Sequence, residues 1–85
     1  MTLPENLDEI VHAIAWANAR LLSASREPNR FLLREELDRL SRANERMRAA
    51  IGDSFNSLPE ALKLEVRVVE IGFNKLDQKL KAKKL

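Results

Sequence analysis

The residues best suited to acid–base chemistry are a lone histidine and the carboxylates that precede it. His12 is the only histidine in the 85-residue chain, with Asp8 and Glu9 shortly before it. On a helix, residues three and four positions apart are neighbours, so these carboxylates would lie beside the imidazole. No serine stands nearby at a spacing that would complete a nucleophilic triad. We therefore predict a surface histidine and no catalytic residue.

A second group of chemically capable residues is the acidic cluster Glu35, Glu36 and Asp38. Arginines alternate with these acids, so that Glu35 precedes Arg39, and Asp38 precedes Arg42, by four residues. Opposite charges at this spacing are typical of a solvated helix face. A carboxylate metal site in a helical bundle needs inward-pointing acids and Glu-x-x-His pairs, which this sequence lacks.

Other patterns that bind cofactors or metals are also missing from the sequence. The chain has no cysteine, which excludes disulfides and thiolate metal sites, and its two glycines do not form a phosphate-binding loop. We therefore predict a non-enzymatic protein that uses no cofactor and no metal.

The basic residues of the sequence indicate nucleic-acid binding as an alternative function. The net charge is only +2, but residues 57–85 carry seven basic and four acidic residues. The candidate contacts are Arg42, Arg46, Lys79, Lys81, Lys83 and Lys84. Against this function, charges alternate in sign along residues 34–42, and only four aromatic residues are present for base stacking.

A membrane segment is not expected, because no apolar run approaches the roughly 20 residues needed to span a bilayer. The first eleven residues contain three acids and no basic residue, the opposite of a secretory signal. We expect a cytoplasmic protein with no membrane attachment.

Composition and start signals together predict three helices in a single domain, 1–85. Glycine and proline are rare, which favours helix throughout. Thr2-Leu3-Pro4-Glu5 and Ser57-Leu58-Pro59-Glu60 each combine a hydroxyl cap, an early proline and a glutamate three residues after the cap. With a break at Pro28 and a stop near Gly52, we expect helices at about 3–24, 28–54 and 58–83.

Apolar residues recur at alternating spacings of four and three in all three predicted helices. The most regular series is in the third helix and comprises Leu62, Val66, Val69, Phe73, Leu76 and Leu80. This heptad pattern predicts coiled-coil-like packing. We therefore predict an all-α three-helix bundle, in which a long antiparallel hairpin of helices 2 and 3 packs against helix 1. Gly72, inside helix 3, indicates close approach of another helix.

The third helix has a second apolar face, formed by Leu64, Val68 and Ile71 on the side opposite its heptad seam. A helix that is apolar on two faces must be covered on both. Either helices 1 and 2 sandwich it within one chain, or a second chain covers the outer face.

Trp16 lies opposite the apolar stripe of the first helix, with His12 and Arg20 one turn before and after it. Tryptophan and arginine are enriched at binding hot spots. The alternative is that Trp16 covers another helix of its own bundle. We predict a homodimeric interaction module that also binds another protein, with an interface formed by Trp16, Arg20, Leu64, Val68 and Ile71.

Overall fold

A computed structural model describes residues 3–82, which form three α-helices joined by short connections. These are α1 (Leu7–Arg26), α2 (Arg30–Ile51) and α3 (Glu60–Ala82), with a one-turn 3-10 helix at Phe55–Ser57 in the second connection. The helices lie side by side in a body with principal extents of 49 × 17 × 17 Å. The predicted all-α three-helix bundle is confirmed.

α1 begins later than its expected start at about residue 3. Thr2 lies outside the described residues, and residues 3–6 precede the helix, with the Leu7 N–H donating to the Pro4 carbonyl at 3.3 Å. Asn6 occupies the N-cap position, but its side-chain amide donates to the Ala50 carbonyl at 2.8 Å. Because that carbonyl belongs to the last turn of α2, Asn6 joins the start of α1 to the end of α2.

α2 is slightly shorter than the expected range of 28–54, because an asparagine side-chain cap defines its start and a glycine cap defines its end. The Asn29 side-chain oxygen accepts hydrogen bonds from the Phe31 and Leu32 N–H groups at 2.9 and 3.2 Å. At the other end Gly52 has a φ of 53°, and its N–H donates to the Arg48 carbonyl at 2.9 Å. This left-handed backbone conformation favours glycine and ends the helix.

Consecutive helices run antiparallel, so α1 and α3 are parallel to each other. The start of α2 meets the end of α3 where the Arg30 guanidinium donates to the Leu80 carbonyl at 3.1 Å. Further along the same pair, Arg48 forms an ion pair with Glu70. The predicted hairpin of α2 and α3 is therefore present, but the most extensive helix contact is between α1 and α2.

Small side chains allow α1 and α2 to pack closely. Ala13 and Ala17 on α1 and Ala43 on α2 are buried in one core, and Ala13 lies beside Ala50 of α2. Larger side chains fill the centre of the bundle, and the most completely buried are Ile10, Ile14, Leu40, Met47 and Val69. No charged or polar residue is buried among the described residues. Of these helices, none is both long and apolar enough to cross a bilayer.

Gly72 allows α3 to approach α1 closely, as its position in the sequence indicated. A Cβ atom added to Gly72 would lie 2.7 Å from Leu21 Cδ1, well inside van der Waals contact. The side chain of Leu21 therefore occupies the space above Gly72, and this contact aligns the C-terminal halves of α1 and α3.

Replacing Gly72 by leucine should lower the free energy of unfolding by about 2 kcal/mol, because the new side chain must displace Leu21. Leu21→Ala alone should cost about 2 kcal/mol by leaving a cavity. The double variant should lose much less than the sum of the two, since leucine at 72 then fills the vacated space. Urea unfolding followed by circular dichroism measures all three, and strictly additive losses would contradict the contact.

Candidate protein-interaction surfaces

Open grooves run along both flanks of α1, and the predicted interface residues are divided between them. The groove between α1 and α3 has a volume of about 530 Å³, and the groove between α1 and α2 has a volume of about 490 Å³. The first is lined mainly by exposed apolar side chains and the second by Trp16 with charged and small residues, so each is a candidate contact surface for another chain.

The second apolar face of α3 is not covered within the bundle. Leu64, Val68 and Ile71 are 64%, 47% and 54% exposed, although Val66 and Val69 on the other side of the helix are buried. The alternative in which helices 1 and 2 sandwich α3 is therefore wrong for the single chain. Both helices pack on the heptad seam of α3, which leaves its outer face exposed.

Apolar residues of α1 extend this face across the groove. Val11, Ala15 and Asn18 line the same groove as Leu64 and Val68. Leu22 follows Val11 by about three helical turns and is also half-exposed. We call the combined surface the α1/α3 face, and its apolar members are Val11, Ala15, Leu22, Leu64, Val68 and Ile71.

The α1 part of this surface is not evident from the sequence, because Val11 lies four residues after Leu7 and three before Ile14, the spacing of a core-facing series. Val11 is in fact 42% exposed, whereas Ile10 and Ile14 are fully buried. The available signal was the apolar pair Val11 and Leu22, which lies at the edge of the stripe on one side of α1. That edge becomes part of a larger exposed face only because α3 packs beside it and places its own exposed apolar side chains next to it.

Charged residues are divided between the two ends of the α1/α3 face. At the end where α1 and α3 begin, the exposed acids of this face include Asp8 and Glu60, whereas Glu65 lines the groove nearer its centre. At the end where both helices finish, the exposed bases are Arg26, Lys75 and Lys79. Glu60 also pairs with Lys63 of its own helix at 3.3 Å. Lys63 and Arg67 lie over the Phe55 ring, about 6 Å from its centroid, towards the connection between α2 and α3.

Trp16 lies on the other flank of α1, in the groove lined also by His12, Arg46 and Ala50. The indole is 53% exposed, and the Arg20 guanidinium lies 5.2 Å from its ring centroid. This distance is that of a cation–π contact, which holds the ring in place. Trp16 therefore contributes little to the core, and it is remote from Leu64, Val68 and Ile71. The predicted interface residues form two surfaces rather than one.

His12 is exposed in the same groove as Trp16 and Glu9. Within residues 3–82, no group of three or more histidine, cysteine, aspartate or glutamate side chains is arranged to hold a metal ion. The acidic cluster of α2 forms ion pairs instead, since Glu36 bonds Arg39 at 3.0 Å and Asp38 bonds Arg42 at 3.3 Å.

The basic residues considered for nucleic-acid binding do not form one surface in the described part of the chain. Arg46 borders the Trp16 groove, whereas Lys79 lies beside Arg30 at the start of α2, roughly 24 Å away along the helix axis. Lys81 pairs with Asp77 at 3.0 Å, and Arg42 pairs with Asp38. The remaining candidates, Lys83 and Lys84, lie outside the described residues.

Comparison with protein-family models, with curated proteins and with solved structures finds no match to this chain.

Substituting Trp16 by alanine should lower the free energy of unfolding by about 1 kcal/mol or less, because the indole is half-exposed and packs mainly on Arg20. Ile14→Ala, a fully buried control on the same helix, should cost about 3 kcal/mol. Urea unfolding monitored by circular dichroism at 222 nm compares the two without relying on the removed fluorophore. A loss from Trp16→Ala as large as that from Ile14→Ala would place the indole in the core.

Proposed function

We propose that the protein is a small non-enzymatic protein–protein interaction module that acts through helix faces and works as a homodimer. The observation that carries this proposal is the exposed α1/α3 face. Leu64, Val68 and Ile71 are bulky side chains arranged on successive turns, and no helix within residues 3–82 covers them. Contiguous apolar patches of this kind are characteristic of contact sites on soluble proteins.

The energetics of burial support a contact role for this face. Burial of apolar surface contributes about 25 cal/mol per Å². Covering the half-exposed leucine, isoleucine and valine side chains would therefore stabilise a complex. An 85-residue chain also buries a smaller share of its surface than a larger domain does. Dimerisation through the α1/α3 face adds a second apolar layer to the thin core of the monomer.

The Trp16 surface supports contact with a different protein. It lies on the opposite flank of α1 from the α1/α3 face, so a homodimer formed through that face leaves Trp16 and Arg20 accessible in both copies. Tryptophan and arginine supply large contact areas and are enriched among hot-spot residues. An adaptor, a chaperone-like protein or a sequestering regulator would use the surface in this way, in the cytoplasm.

A nucleic-acid-binding regulator is the alternative function, but less supports it. Arg42 and Lys81 already form ion pairs with acids of their own helices, which reduces the positive potential available to phosphates. Nucleic-acid binding would weaken steeply with added salt, because bound cations are released on neutralising phosphates. Contact through an apolar face with a few charged pairs at its ends would depend much less steeply on salt.

Leu64→Asp should weaken self-association at least tenfold, because a buried carboxylate without a partner is costly. Phe31→Asp is the matched control, since Phe31 is 85% exposed at the start of α2 and receives the same change in chemistry. Sedimentation equilibrium at micromolar concentrations measures both variants and the parent chain. A parent chain that is monomeric and unfolds cooperatively, or equal weakening by both variants, would contradict the proposal.

A further inference from the structure

We infer that the two copies pack through their α1/α3 faces in an antiparallel arrangement, with α1 against α1 and α3 against α3 of the second copy. The twofold axis then lies within the interface, perpendicular to the helices. This inference rests on the proposed homodimer and specifies its geometry. It follows from three observations: the charge distribution along the face, the register of α1 with α3, and the size of the central side chains.

The charge distribution favours the antiparallel arrangement. Asp8 and Arg26 are 18 residues apart on α1, about five helical turns, so they lie on the same side of the helix at its two ends. In an antiparallel pair, Asp8 of each copy meets Arg26 of the other. On α3, the same rotation brings Glu60 of one copy to Lys75 of the other.

A parallel pair is disfavoured by the same charges. If the twofold axis ran along the helices, the acidic end of one face would meet the acidic end of the other, and the basic ends would also meet. Juxtaposed like charges in an interface oppose association and exclude the wrong geometry. A twofold interface requires a face that is complementary to itself. The α1/α3 face meets this requirement only when the second copy is reversed.

The register of α1 with α3 provides an independent test of the geometry. On α1, the midpoint between Val11 and Leu22 is position 16.5, and on α3 the midpoint between Leu64 and Ile71 is position 67.5. A single twofold axis can relate both helices to their copies only if the two midpoints lie at the same height along the helix axes. The Leu21 side chain lies over Gly72, so the two helices are offset by about 51 residues, which brings position 16.5 to within about one helical turn of 67.5.

The charged pairs share this level. The midpoint of Glu60 and Lys75 is also 67.5, and that of Asp8 and Arg26 is 17. Four residue pairs on two separate helices are therefore symmetric about one line across the face, whereas Glu65 and Lys79 have no such counterpart. A partner unrelated in sequence would not need this symmetry, whereas a second copy of the chain requires it.

The centre of the face has the shape that close helix packing needs. Near the axis α1 presents Ala15 and Ala19, both exposed, and small residues allow two helices to approach. Val68 lies within one residue of the axis on α3. From Asp8 to Arg26 the face is roughly 27 Å long, and two helices make it roughly 20 Å wide. The flat footprint is therefore roughly 540 Å², close to the small end of specific interfaces, which bury about 600 to 1,000 Å² per partner.

Charge reversal tests the pairing of the two ends. Asp8→Arg and Arg26→Asp should each weaken dimerisation about tenfold in low salt, because each places like charges at both symmetry-related contacts. The double variant Asp8→Arg/Arg26→Asp should recover dimerisation to within about threefold of the parent chain. Failure of the double variant to recover would overturn the antiparallel pairing.

Cysteine cross-linking tests the position of the axis, and the natural chain contributes no competing thiol. With oxidised glutathione, Val68→Cys should form a covalent dimer, because the two copies of residue 68 meet at the axis. Leu64→Cys alone should not, since its two copies lie roughly 10 Å apart along the helix axes. Mixing Leu64→Cys with Ile71→Cys should restore the cross-link.

The two proposals can fail separately in these experiments. A parent chain that remains monomeric in sedimentation would refute the homodimer itself. A dimer in which Leu64→Cys links to itself, or in which Leu64→Cys links to Val11→Cys, would leave the homodimer standing and overturn the antiparallel geometry.

Discussion

Close packing of α1 against α2 is the constraint on which the rest of the bundle depends. Alanines at the contact bring the two helices together, so that the larger Ile10, Ile14, Leu40 and Met47 are fully buried. The third helix then packs along the groove that this pair forms, using one side only. Its outer face, and the edge of α1 beside it, remain exposed because residues 3–82 contain no fourth helix to cover them.

Much of the fold is predictable from the sequence because helix formation depends on local signals. The heptad series of α3, the break at Pro28 and the glycine at position 52 define three helices without reference to tertiary contacts. Gly72 similarly indicates a close helix contact, since glycine inside a helix is otherwise costly. The amphipathic pattern of α3 also shows that Leu64, Val68 and Ile71 form a separate apolar face.

The arrangement of those helices is less predictable, because periodicity gives the apolar side of each helix but not its neighbours. Alanines contribute weakly to a count of apolar residues, so the close α1 and α2 contact was not anticipated. The start of α1 depends on a hydrogen bond between Asn6 and Ala50, which are 44 residues apart. The separation of Trp16 from Leu64 likewise depends on which flank of α1 each neighbour occupies.

An odd number of alternating helices has an electrostatic consequence. The macrodipoles of α1 and α2 oppose each other, whereas that of α3 has no antiparallel helix left to balance it. Within one chain, the bundle therefore keeps a net dipole along its long axis, positive at the end where α1 and α3 begin. Acidic residues at that end and basic residues at the other reduce it. A reversed second copy makes the helix count even and cancels the axial dipole completely.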